Sequence, residues 1–82
     1  MLDKLLKSFE YHMEKAERDA KLAKKENNPC RRDDLFHAIE QCGYAHALQN
    51  IIHKEWALAD DVERMQRWHG LASELSDLWE EL

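Results

Sequence analysis

The chain has 82 residues, of which 35 % are charged, with a formal net charge of −5 and only two glycines and one proline. So few turn-forming residues exclude an all-β fold, and the supply of Trp, Leu and Ile excludes a disordered tail. The longest unbroken apolar run, Trp56-Ala57-Leu58-Ala59, is far too short to cross a bilayer. No basic-then-apolar leader opens the sequence, and Cys30 and Cys42 make no disulfide framework. Both features fit a cytoplasmic, reducing compartment.

The first segment is expected to be helical from about residue 2 to 26. Leu2, Leu6, Phe9, Met13, Ala16, Ala20 and Ala23 recur at alternating steps of four and three, an unbroken heptad seam. The seam passes from large residues to alanines, so a neighbouring backbone should approach most closely near its C-terminal end. Asp3 near the start and Lys21, Lys24 and Lys25 near the end suit the helix dipole.

Glu26-Asn27-Asn28-Pro29 breaks this pattern. Asn28 is a candidate cap for the next helix, with Pro29 in its first turn, and Asp33 or Asp34 is the alternative cap. A connection this short makes the flanking helices antiparallel neighbours.

The second helix is expected over about residues 30–55. Leu35, Ile39, Cys42, Ala45, Leu48, Ile52 and Trp56 share one side, widened by Phe36, Ala38 and Ile51. Gly43 lies inside this pattern, where glycine costs up to about 1 kcal/mol against alanine. A turn is expected near residues 55–60, although neither Gly nor Pro marks it. The signal is Asp60-Asp61-Val62-Glu63, which reads as a capping box. The alternative is one continuous helix from about residue 31 to the end.

The third helix, about residues 60–81, carries two adjacent apolar seams. One runs through Leu58, Val62, Met65, Ala72 and Trp79, and is expected to be core. The other runs through Trp68, Leu71, Leu75, Leu78 and Leu82. Together they exceed the ~100° stripe of an ordinary surface helix. The second seam is therefore the expected protein interface, with Trp68 its first candidate contact. The expected architecture is a single all-α domain, an antiparallel helical hairpin extended to a three-helix bundle and completed by homodimerisation or a partner.

Charge is uneven along the chain. Residues 1–32 carry a net +3 and residues 33–82 a net −8. The cations Lys21, Lys24, Lys25, Arg31 and Arg32 gather around the first inter-helix turn, where such a patch could meet phosphates. Against this, Glu14, Glu17, Asp19 and Glu26 are interleaved, and Glu14–Arg18 and Glu17–Lys21 are i,i+4 pairs typical of a solvated face. The acidic residues Asp60, Asp61, Glu63, Glu74, Asp77, Glu80 and Glu81 read in the same way, as ordinary solubility charge.

Cys42, His46 and His53 fall on one side of a helix. They lack the ligand count and paired spacing of a zinc site, and Cys42 reads as a small core hydrophobe. No Glu-x-x-His pairs, nucleophile elbow or glycine-rich phosphate loop occurs. No catalytic residue, metal or cofactor is expected, and the chain reads as a non-enzyme.

The helix–Asn/Pro turn–helix pattern around Asn27-Asn28-Pro29 resembles, in outline, the small co-chaperones of bacterial type III secretion. That resemblance implies an accessory, partner-binding role and assigns no individual residue. The leading expectation is a small protein-interaction module, of accessory regulator, inhibitor or co-chaperone type. It would bind another protein or a second copy of itself. The alternative is a nucleic-acid-associated regulator using the basic turn.

Overall fold

A computed structural model describes all residues 1–82. It is entirely helical, with α1 at Leu2–Ala23, α2 at Arg31–Trp56 and α3 at Asp61–Glu81. The chain folds as an elongated body of 43 × 19 × 14 Å. No helix is long and apolar enough to cross a membrane. A turn at Ala57–Asp60 separates α2 from α3, so the continuous-helix alternative falls away.

The α1 seam packs as its spacing dictates. Phe9, Met13, Ala16, Ala20 and Ala23 are buried, and Leu2, Leu5 and Leu6 lie against the core at its outer end. Opposite them α2 buries Leu35, Ala38, Cys42, Ala45 and Ile52. Several of these facing residues are small, which lets the two backbones run close together. Most interhelical contact in the molecule is between α1 and α2, whereas α3 leans on α2 and touches α1 sparsely.

The first turn begins earlier than its sequence suggests, with α1 ending at Ala23 rather than near residue 26. Asn28 is not the cap of α2; Cys30 occupies that position. Instead Asn28 fastens the turn on both sides. Its Oδ1 accepts the Cys30 N–H at 2.9 Å, and its Nδ2 donates to the Leu22 carbonyl and to Asp34 Oδ2, each at 2.8 Å. Arg31 Nε adds a bond to the Ala23 carbonyl at 2.8 Å, satisfying an acceptor at the end of α1.

At the second turn the expected capping box does not form. Asp60 is the N-cap of α3 but makes no side-chain cap bond; its carboxylate pairs with Arg64 Nη1 at 2.8 Å. Helix α2 ends on Ala57 in the left-handed conformation, φ 48°, with its N–H on the His53 carbonyl. Glycine is the usual residue at such an end.

The largest departure from the sequence reading is the rotation of α3. Leu71, Leu75 and Leu78 are buried in the chain's own core, and Trp68 and Leu82 are half-buried against it. The seam expected to meet a partner is therefore largely consumed internally. The seam expected to be core divides: Leu58 and Ala72 pack against the core and Met65 is half-buried, but Val62 and Trp79 turn outward, 62 % and 54 % exposed. On α2, Ile39 and Trp56 also face out, and the buried position between Ala45 and Ile52 is taken by Gln49.

Candidate functional site

The rotation of α3 opens a groove of about 390 Å³ between α2 and α3. Ile39, Cys42 and Gly43 line it from α2. Trp68, Ala72, Leu75, Ser76 and Trp79 line it from α3. None of these side chains is charged. Two of the expected interface residues, Trp68 and Leu75, thus reach the groove. Leu71 and Leu78 do not, and Leu82 borders a smaller pocket of about 190 Å³ with Arg32, Leu35, Phe36 and Trp79.

Bulk is distributed unevenly along the groove. At one end Phe36 and Trp79 pack ring to ring, with centroids 5.4 Å apart, and both remain about half exposed. In the middle the wall falls away at Gly43, where an added Cβ would meet no atom within 4 Å. At the other end Trp68 is fixed in place. Its Nε1 donates to the Cys42 carbonyl at 2.8 Å, its face stacks on His46 at 4.4 Å and its edge meets His69 at 5.0 Å.

A polar corner next to the second turn ties α2 to α3. Asp61 is buried and accepts bonds from Gln49 Nε2 at 2.7 Å, Arg64 Nη2 at 2.6 Å and the His53 ring at 2.9 Å. Gln49 Oε1 in turn accepts from Arg64 Nε. Burial alone would raise the Asp61 pKa. The bonds from His53, Gln49 and Arg64, with the Arg64 charge, outweigh it and hold the carboxyl at about 2. Sequence reasoning based on apolar spacing missed this corner. The available signal was Gln49 itself, which falls on the strict three–four step Ala38, Cys42, Ala45, Gln49, Ile52.

On the opposite flank, ion pairs bridge α3 to α1. Arg67 reaches Glu17 at 2.7 Å and Glu10 at 2.6 Å, and Lys24 pairs with Glu74. The bonds to Glu17 and Glu10 raise the Arg67 pKa further above its normal range.

The basic turn is less available than its composition implies. Lys24 is engaged with Glu74, Arg31 with the Ala23 carbonyl, and Arg32 with the Leu82 carbonyl at 3.3 Å. Lys21 and Lys25 are exposed. Cys42, His46 and His53 are drawn to different neighbours: Cys42 is buried, its thiol pKa raised by that burial, while His46 lies on Trp68 and His53 on Asp61. No group of three His, Cys, Asp or Glu side chains is placed to hold a metal ion. Both cysteines are free thiols.

The fold and the groove describe a small all-helical protein, a helical hairpin with a third helix leaning on α2 and one open apolar side. Comparison with family models, with curated proteins and with solved structures finds no match.

Proposed function

We propose that the chain is a small non-enzymatic protein-interaction module, of accessory regulator, inhibitor or co-chaperone type, working through the α2–α3 groove. One observation carries this reading: Phe36, Ile39 and Trp79 stand exposed beside an uncharged groove, while no buried polar side-chain atom lacks a partner. The chain satisfies its buried polar side chains internally and leaves bulky apolar groups in water. Contiguous exposed apolar surface of this kind marks docking sites, and an amphipathic helix laid in a groove between two helices is a recurrent mode of recognition. The hairpin extended by α3 would be completed as a bundle by one further helix. The basic turn offers less support for the nucleic-acid reading, because three of its five cations, Lys24, Arg31 and Arg32, have partners within the chain.

A photo-crosslinking side chain at Ser76, inside the groove, tests this reading in cells of the native host. Covalent adducts to a polypeptide are expected from Ser76 and not from a control position at Asp3 on α1. Absence of adducts at Ser76, or equal labelling at both positions, overturns the proposal.

A further inference from the structure

The interaction-module reading leaves the occupant of the groove open. Resting on that reading, we propose that the occupant is a second copy of this chain, lying antiparallel along the groove about a two-fold axis that crosses it between Ile39 and Gly43.

Shape is the first argument. A two-fold contact uses the same patch on both partners, so the patch must complement itself. Phe36, Ile39 and Trp79 form a ridge at one end of the groove. Gly43, Ala72 and Ser76, with exposed Ala47 one turn further along α2, form a trough beside it. Rotation about an axis between ridge and trough seats each copy's ridge in the other's trough. Gly43 has open space where a side chain would otherwise project.

Charge fixes the orientation. Exposed Glu40 and Glu80 follow Ile39 and Trp79 in sequence and so flank the ridge end. His46 and His69 flank Trp68 at the far end. Antiparallel copies bring carboxylates against imidazoles, which can donate hydrogen bonds to them. Parallel copies would bring four carboxylates together around the ridges, a like-charge contact that disfavours that pairing.

Size agrees. The long face of a body of 43 × 19 × 14 Å is large enough to hold the roughly 800 Å² per partner of a standard specific interface. The lining is uncharged, so apart from Glu40 and Glu80 at its rim the net charge of −5 on each copy acts at longer range. Salt screens that repulsion.

Sedimentation velocity and light scattering on the full chain, over a concentration series, test the inference. A species of twice 9.8 kDa is expected, persisting as salt rises. Gly43→Arg fills the trough, and Ala72→Glu places a charge in it. Each should weaken the dimer at least about tenfold, with helical circular dichroism confirming that the variant is folded. Tyr11→Ala, on α1 away from the groove, should leave the dimer intact. A monomer at every concentration, or a dimer indifferent to both groove variants, overturns the inference. The Ser76 crosslink separates this failure from the wider one. A monomeric chain that still crosslinks from Ser76 to a different polypeptide keeps the interaction-module reading and loses only the second copy. A chain that crosslinks to nothing loses both.

Discussion

The two interhelical seams of this molecule are built on opposite principles. Between α1 and α2, alanines let the helices close on each other, and Phe9, Met13, Leu35 and Ile52 fill what remains, all of them almost wholly buried. Toward α3, the fully buried apolar residues are only Leu71, Leu75 and Leu78, with Trp68, Ala72 and Leu82 half-buried beside them; a polar corner holds one end, and a groove is left open outside. The difference separates stability from availability. The closed seam supplies the core, and the open seam leaves Phe36, Ile39 and Trp79 in water.

The comparison breaks most visibly if a large residue is removed from the closed seam. Phe9→Ala should cost about 3–5 kcal/mol, from lost burial plus the cavity left behind. Ala16→Leu, at a position with no room for extra methylenes, should cost about 1–3 kcal/mol by overpacking. Trp79→Ala removes a larger side chain, yet it should cost only about 1 kcal/mol, because Trp79 is half exposed and its aromatic contact is with Phe36. Urea unfolding of the three variants checks the ranking. A Trp79→Ala loss as large as that of Phe9→Ala would mean that the groove is core and not an open face.

The polar corner makes the second contrast, because it ties one end of the open seam to pH. The Asp61 carboxyl is held at about 2, below its ordinary 3.8. A depressed acid stabilises the fold fully above its unfolded pKa and loses that contribution as pH falls through the folded value. The gap corresponds to about 2 kcal/mol, present above about pH 4 and progressively lost toward about pH 2. Asp61→Asn should therefore be less stable near neutrality and show a flatter stability profile across that window. The measurement is the unfolding midpoint against pH for both proteins. Identical slopes would show that other carboxylates govern acid unfolding.

What could be read in advance divides along the same line. The heptad seam of α1 was legible because every step from Leu2 to Ala23 carries an apolar residue and its flanks are charged. The face of α3 was not. Its two seams are neighbours, both apolar, and no local property of Val62 or Trp79 distinguishes them from Leu71 or Leu78. Tertiary packing decided, with Trp68 tied to the Cys42 carbonyl and Asp61 drawn inward by Gln49 and Arg64. On α2 the periodicity allowed Ile39 and Leu48 as readily as Ala38 and Gln49. Small and polar residues won because α1 approaches closely and because Gln49 has Asp61 and Arg64 to bind. The groove is a consequence of that rotation, which is why Trp68 and Leu75 were expected at the site for a different reason, and Ile39, Gly43 and Trp79 were not expected there.

The smallest effects come from two residues that run against local preference. Gly43 lies within α2, where glycine is unfavourable by about 0.5–1 kcal/mol relative to alanine, and nothing in the fold blocks a methyl group there. Ala57 is the converse, a residue with a Cβ held in the left-handed conformation that closes α2, at a cost of about 1 kcal/mol that glycine largely avoids. Gly43→Ala and Ala57→Gly should each raise stability by about 0.5–1 kcal/mol, or roughly 3–6 °C in the thermal midpoint of a domain this size. They should differ in association. Ala57→Gly lies outside the groove and should leave the dimer unchanged, whereas Gly43→Ala puts a methyl group into the trough and should weaken the dimer while stabilising the monomer fold. That opposition has a physical source: a mid-helix glycine that costs stability and clears space for a facing side chain serves the contact and not the fold. If Gly43→Ala stabilised the chain and left association untouched, the trough would not be where the partner sits, and the open seam would owe its shape to α3 packing alone.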